Sequence, residues 1–358
     1  MTILARSFET LRRGVEEGLV PGAAAAAGTP DVTLLSEHMG WAQLQPRKRR
    51  LRESMRFDVA SLTKVVVTTT LVLQAIERGD LFLHQRVAAV VPEFGAAGKE
   101  DITVRQLLTH TSGLPAWQDL TTTGRTRASA LQQVWETPLA RPAGTEVIYS
   151  DLGFITLGVV LERVTGTSLE KLAQSDVFDR LGMKDTGFRP PAKQRVDFVT
   201  TEVIEQRNGA ITGIVHDDNA LTLGGVSGHA GLFTTLADLE LFCRAWLREG
   251  QDARGRLLSA AAVKAAIRDQ TGGVDRANRR GLGWVLQPNG FWPAADLAST
   301  AAYSHTGFTG TSIVIDPERG LYAILLTNRV HPTREAGSAD RVRILRARFH
   351  NAVWSELS

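Results

Sequence analysis

The period of apolar positions changes twice along the chain. Residues 22–46 hold short apolar runs, AAAAAG at 23–28, then VTLLS and MGWAQLQ, bounded by Gly and Pro, which predicts a hairpin of strands. From 61 to about 79 a long apolar stretch predicts a buried helix. Short helical patterns separated by Gly and Pro follow to about residue 270: ITVRQLLTH, FITLGVVLERVTG, LEKLAQSDVFDRLG, LADLELFCRAWLREG and SAAAVKAAI. After 280 the strand period returns in GLGWVLQ, AYSHTG and TSIVIDPERGLYAILLTN, with DPERG as a turn. An amphipathic segment opens the chain, and DRVRILRARFHNAVWSEL, with its hydrophobic stripe, closes it. Strands at both ends and helices between them predict an α+β fold. An antiparallel sheet built from both chain ends and flanked by terminal helices would receive an inserted all-helical lobe. The expected division is 1–60 with 280–358 as the sheet lobe and 61–279 as the helical lobe, with a cleft between them.

Within this pattern FDVASLTK, residues 57–64, stands out, because Ser61 and Lys64 share one side of the first turn of the apolar helix. A lysine drawn toward an apolar core either finds a partner or gives up its proton. Arginine has no such option, since its pKa is too high. Only 7 of the 41 lysine and arginine residues are lysines, which makes each one more informative. The expectation is a burial-depressed Lys64 that takes the proton of Ser61, itself held beside the free N–H groups of a helix N-terminus. SxxK alone is weak, since Ser168-Leu169-Glu170-Lys171 matches it too, in a setting where serine caps a helix and lysine faces solvent.

Composition narrows the function classes. A net charge of +3 over 358 residues implies no polyanion partner, and Arg47-Lys48-Arg49-Arg50 lacks the interleaved aromatics of a nucleic-acid patch. The single Cys243 excludes an internal disulfide and any CxxC metal site. No stretch reads as a membrane span, and the charged N-terminus has no long h-region, so the protein is expected in the cytoplasm. His216-Asp217-Asp218 and His229 lack metalloprotease spacing and read as a polar loop near the cleft, so no metal or other cofactor is expected. His110 reads as a turn residue, while Trp117 and Trp284 are candidates for lining an acyl pocket. GxSxG, GxxxxGK[ST] and GxGxxG are all absent.

In order and spacing, FDVASLTK, ITVRQLLTHTSGLP, PAGTEVIYSDLGFITLGVVLE and SHTG resemble the serine β-lactamase and DD-peptidase superfamily of class C type. The resemblance implies that Ser61 is the nucleophile of an acyl-enzyme and that Lys64 accepts its proton. Tyr149 would share that duty and protonate the leaving group. It also places His305 and Thr306 along the site, makes Gly307 the point where substrate lies close to the strand, and assigns the oxyanion hole to the Ser61 and Phe308 amides. One position departs. Where the tyrosine motif commonly ends in asparagine, this chain has Asp151, which when ionised only accepts hydrogen bonds. That disfavours recognition of an amide carbonyl and favours a carboxylesterase acting on small acyl esters. The alternatives are a β-lactamase, a D-alanyl-D-alanine carboxypeptidase or a D-aminopeptidase, and a non-catalytic penicillin-binding-like sensor. The expected partner is a small-molecule ester or amide, and the sequence does not specify an oligomeric state.

Overall fold

The five consecutive alanines at 23–27 form a strand buried along its whole length, because elements pack closely on both of its faces. The computed structural model describes residues 4–122, 126–287, 293–335 and 339–357, so the first three residues of the expected opening helix lie outside it. Strands are numbered in chain order among the described residues. The chain opens with β1 (Gly22–Gly28), β2 (Thr33–Gln43), β3 (Arg49–Arg50) and β4 (Phe57–Asp58). Then come β5 (Thr200–Ile204), β6 (Gly209–Thr212), β7 (Phe233–Thr234), β8 (Gln251–Asp252) and β9 (Gly255–Arg256). The last three are β10 (Tyr303–Thr306), β11 (Ser312–Asp316) and β12 (Leu321–Thr327).

Six of them form one sheet in the order β10-β11-β12-β1-β2-β3, with antiparallel neighbours throughout. The central pairing joins the two chain ends, Ala23 opposite Thr327 and Ala27 opposite Ala323. Because successive side chains alternate, Ala24 and Ala26 enter the larger core with the helices, while Ala23, Ala25 and Ala27 enter a second core. That second core lies beneath the terminal helices Ala5–Glu16 and Ala339–Leu357. The two helices are locked together. A Cβ on Gly14 would meet Leu345 Cδ1 at 2.5 Å, and the Glu356 carboxylate accepts from the Arg6 and Ser7 amides at 2.8 and 2.9 Å. Glu356 thus satisfies N–H groups that the first turn of a helix leaves open.

Helices fill the middle of the chain, as the sequence pattern predicts. The same region also carries two hairpins, β5–β6 and β8–β9, that the helical period did not register. The run Ala60–Arg78 is long and apolar enough to cross a membrane, which the sequence reading overlooked, but 83% of its apolar window is buried inside the protein. It is a core helix. It starts as a 3₁₀ turn at Ala60–Leu62, widens to π geometry over Lys64–Thr69, and continues as α-helix over Thr70–Arg78 to Gly79.

Contacts of two kinds fix the start of this helix, and the second brings it to the edge of the six-stranded sheet. Strand β4 pairs with β7, and beyond β10 the hydroxyls of Thr309 and Thr311 donate to the carbonyls of Asp58 and Val59 at 2.8 and 3.1 Å. The residue before Ser61, Ala60, holds a left-handed φ of 47°, a sparsely populated region for a residue with a Cβ. Its amide donates to Asp58 Oδ1 at 2.9 Å, and Asp58 Oδ2 accepts from the His216 amide at 2.8 Å. A buried carboxylate therefore holds the turn that presents Ser61.

Candidate active site

Ser61 opens onto a cleft of about 690 Å³ that is also lined by Tyr149, Asp151, His305, Thr306, Gly307 and Phe308. Lys64 is fully buried behind it. The structure thus gathers all eight residues singled out in the sequence. Lys64 Nζ donates to Ser61 Oγ at 3.1 Å, to Asp151 Oδ1 at 2.7 Å and to the His229 carbonyl at 3.1 Å. Its ammonium lies 4.9 Å from the centre of the Tyr149 ring and 5.7 Å from that of Phe154. The π-helical widening begins at Lys64 itself, the kind of local distortion that recurs at functional sites.

Burial alone, the effect read from the apolar helix, does not set the protonation of Lys64. Burial does push its pKa down, but the Asp151 carboxylate, with Tyr149 behind it, more than offsets this and holds the pKa above the ordinary lysine value. The buried lysine has found a partner and has not surrendered its proton. In this arrangement Lys64 is an ammonium that donates to Ser61.

Tyr149 is positioned by tilted ring contacts. Its ring centre lies 4.5 Å from that of His110 and 6.1 Å from that of His305. His110 Nδ1 accepts from the Ser150 amide at 3.0 Å, so in the neutral ring the proton sits on Nε2. His305 Nδ1 lies 2.9 Å from the Thr306 carbonyl, which fixes the opposite tautomer. Burial, together with the nearby Lys64 and Arg280 charges, pushes both histidines well below the ordinary value, so both are neutral. His110, with φ at 59°, does shape a turn, and it also forms the floor beneath Tyr149. Ser150 caps the helix Asp151–Thr165, which places Asp151 at its first position, facing Lys64.

Gly307 is required for a reason the sequence did not convey. A Cβ there would stand 2.4 Å from the Val59 carbonyl oxygen and 2.2 Å from Thr311 Oγ1. The glycine lets the end of β10 approach the strand leading to Ser61. Its carbonyl accepts from Arg346 Nη2 at 3.1 Å, and the same nitrogen bonds the Thr311 carbonyl at 2.7 Å. Since C=O and N–H point opposite ways across a trans peptide, anchoring the Gly307 carbonyl turns the Phe308 N–H away from Arg346. The Phe308 ring is half-exposed, stacks 5.8 Å from His216, and lies 4.5 Å from the Arg329 guanidinium.

Several secondary expectations resolve differently. Trp117 is exposed and lines the cleft, but Trp284 is fully buried, 4.9 Å from both Trp246 and Tyr303, and belongs to the core. Ser168 occupies a helix N-cap position without making the capping bond, and Lys171 is exposed. The polar loop is near the cleft and internally paired. His216 Nε2 meets Glu202 at 2.8 Å, while His229 bridges Ser227 Oγ at 2.8 Å and Asp217 at 3.0 Å. This Ser–His–Asp string is not a second nucleophile site, because Ser227 and His229 are buried and do not line the cleft. Among the described residues no group of three or more His, Cys, Asp or Glu side chains is placed to hold a metal.

Sequence reasoning missed two residues that shape the site. Asp58 acts through backbone amides, and Arg280 is masked by the abundance of arginine; it lines the cleft with its guanidinium 5.7 Å from the Tyr149 ring centre.

Comparisons with known proteins follow the same lines. A putative D-alanyl-D-alanine carboxypeptidase of Escherichia coli (strain K12) is 30% identical over 304 residues, covering 77% of this chain and 69% of that protein. An N-acetylmuramyl-L-alanine amidase of Bacillus subtilis (strain 168) is 29% identical over 323 residues, covering 81% and 71%. Among solved structures, EstCE1, a hydrolase with promiscuous acyltransferase activity, superposes with a TM-score of 0.78 at 20% identity over 99% of this chain and 98% of its own. A class C beta lactamase does so with a TM-score of 0.74 at 21% identity over 97% of each chain. The beta-lactamase family model matches residues 8–348, and the chain belongs to that family of serine hydrolases.

Proposed function

We propose that the protein hydrolyses small acyl esters through an acyl-Ser61 intermediate. The observation that carries this reading is the contact of Ser61 Oγ with a fully buried, charge-paired lysine at the end of a cleft. Ser61 Oγ attacks the ester carbonyl, and its proton passes into the Lys64–Tyr149 pair. With Lys64 held as an ammonium at rest, the pair accepts that proton only after losing one, whichever of the two gives it up. The Ser61 and Phe308 amides donate to the oxyanion, and Tyr149 returns the proton to the leaving alcohol as the tetrahedral intermediate collapses. Water then enters by the same steps in reverse and releases the acid. The cleft lies between a sheet lobe (1–60 and 280–358) and a helical lobe (61–279).

Asp151 supports the ester preference. One oxygen is committed to Lys64, and as a carboxylate the group offers no donor to an amide carbonyl. A second reading, hydrolysis of an amide in a small peptide-like substrate, is favoured by the names of the carboxypeptidase and amidase relatives. The test is turnover of p-nitrophenyl butyrate, a D-amino-acid anilide and nitrocefin by wild type, Ser61→Ala and Ser168→Ala. Loss of ester turnover only in the Ser61 variant is expected. Full activity in that variant, or equal loss in both, overturns the assignment of the nucleophile, and faster turnover of the anilide than the ester would favour the second reading.

A further inference from the structure

An ammonium has three hydrogens to donate, and three acceptors surround that of Lys64: Ser61 Oγ, Asp151 Oδ1 and the His229 carbonyl. The third is a main-chain oxygen whose direction no secondary structure sets, because residues 225–232 form neither helix nor strand. Glycines flank it on both sides. A Cβ on Gly228 would stand 2.1 Å from the Phe154 carbonyl oxygen, and Gly231 holds a φ of 113° that other residues rarely adopt.

The ring of the same residue supplies the missing restraint. The His229 imidazole is buried, with Nδ1 2.8 Å from Ser227 Oγ and Nε2 3.0 Å from Asp217 Oδ1. Burial pushes the Asp217 pKa up, but His229 and the Ala220 amide, with the Lys64 charge behind them, more than offset this and hold it well below the ordinary carboxylate value. As a carboxylate Asp217 only accepts, so Nε2 carries a hydrogen. Asp217 is anchored in turn, since it caps the helix Asp218–Thr222 by accepting from the Ala220 amide at 2.7 Å. On either side of His229 the chain is laced to the helix that bears Lys64. Thr68 Oγ1 donates to the Gly228 carbonyl at 2.7 Å, and the Leu232 amide donates to Thr63 Oγ1 at 3.2 Å. Those bonds hold the ends of the segment, and the doubly tied ring fixes the residue between them.

We propose that His229 is a positioning residue for Lys64: its ring, held between Ser227 and Asp217, aims its own carbonyl at the ammonium and so fixes the hydrogen that faces Ser61. Without that acceptor the ammonium is free to swing toward Asp151 and away from the serine. The service to catalysis rests on the roles proposed for Ser61 and Lys64; the aiming of the ammonium does not.

The test reads Lys64 in two ways. The titratable groups that face it from the surrounding elements are Asp151, Tyr149, His110, His305 on β10 and Asp217, and His229→Ala leaves all five in place. Loosening the carbonyl removes an acceptor from the charged form. For His229→Ala the rising limb of the kcat/KM–pH profile for p-nitrophenyl butyrate should therefore move to lower pH by about one unit. The limiting rate above the limb should fall by about tenfold, the scale of one hydrogen bond to a charged group. A limb that stays in place, whether the rate is kept or lost, overturns the proposal. The second reading needs no turnover. In protein labelled with ¹⁵N-lysine, the Lys64 ammonium signal is identified by its loss in Lys64→Arg, and its exchange with water should be about tenfold faster in His229→Ala than in wild type. Equal exchange in the two proteins overturns the proposal. Ser227→Ala frees one side of the ring and keeps the histidine, so it should shift both readings the same way by less. Should His229→Ala fail to fold, wild-type values for both readings in Ser227→Ala overturn the proposal. If wild type hydrolyses no ester, the hydrolase reading fails and the exchange measurement still decides the inference.

Discussion

Two lysines, Lys64 and Lys99, are fully buried, and their partners set them apart. Lys99 donates to the Trp135 and Thr137 carbonyls at 2.9 and 2.6 Å, and burial lowers its pKa. Lys64 faces a carboxylate, and its pKa rises. Removing the carboxylate should let burial dominate. For Asp151→Asn we expect the rising limb of the kcat/KM–pH profile to move to lower pH, and acylation by a fluorescent penicillin to gain roughly tenfold from the new donor, about one hydrogen bond. An unmoved limb would mean that Asp151 does not set the charge of Lys64, and collapse of ester turnover in this variant would make Asp151 part of the proton path. Lys64→Arg keeps the charge but removes the titration, so activity should fall to near background; an active variant with an unchanged profile would take Lys64 out of the chemistry. Because the folded pKa of Lys64 is raised, its contribution to stability is intact at neutral pH and is lost only as pH climbs through that raised value. The Ser61–Lys64 pair was legible because its spacing on a predicted helix start is local, whereas Tyr149 entered only through the resemblance of the later motif. The rise in the lysine's pKa was readable only on the condition that the fold brings Asp151, 87 positions away in the chain, to Lys64, and it does. Arg280 was hidden for the same reason: only the folded backbone brings it to Tyr149.

Individual elements were readable where the period is strong. The all-buried β1 and the core helix Ala60–Arg78 follow from unbroken apolar runs, and β10 to β12 from alternation around a DPERG turn. The hairpins within the helical region escaped notice because strands of two to five residues carry too few periods to detect. The junction of β10 with the turn before Ser61 offers a sharp test at this scale. Gly307→Ala should destabilise by about 1–3 kcal/mol, since its methyl meets a backbone carbonyl that cannot rotate aside. Ester turnover should fall further than the fraction folded, because displacing Gly307 also moves the Phe308 amide. Denaturant unfolding and kcat measured on one preparation would separate the two, and a variant with wild-type values for both would show that the junction has slack.

Across the whole molecule, the second core contributes a dependence on acid. His350, on the closing helix, lies 3.2 Å from Ser312 Oγ and is fully buried, and burial together with Arg346 pushes its pKa down to about 3. An unfolded histidine titrates near 6.5, so below that value the unfolded chain binds the extra proton and stability falls by roughly 1.4 kcal/mol per pH unit. His350→Gln should flatten the slope of unfolding free energy between about pH 6 and 5 by that amount, and an unchanged slope would show that the ring titrates freely in the folded state. The central pairing of β1 with β12 has a further consequence, for synthesis on the ribosome. Gly22 bonds the side chain of Asn328, 306 positions later. At about 5–20 residues per second, β1 emerges roughly 15–60 s before the strand that covers its second edge. During that interval a flat, alanine-lined edge has only β2 beside it and stands open to a wrong partner, which makes the nascent chain, more than the finished enzyme, the form in need of a chaperone.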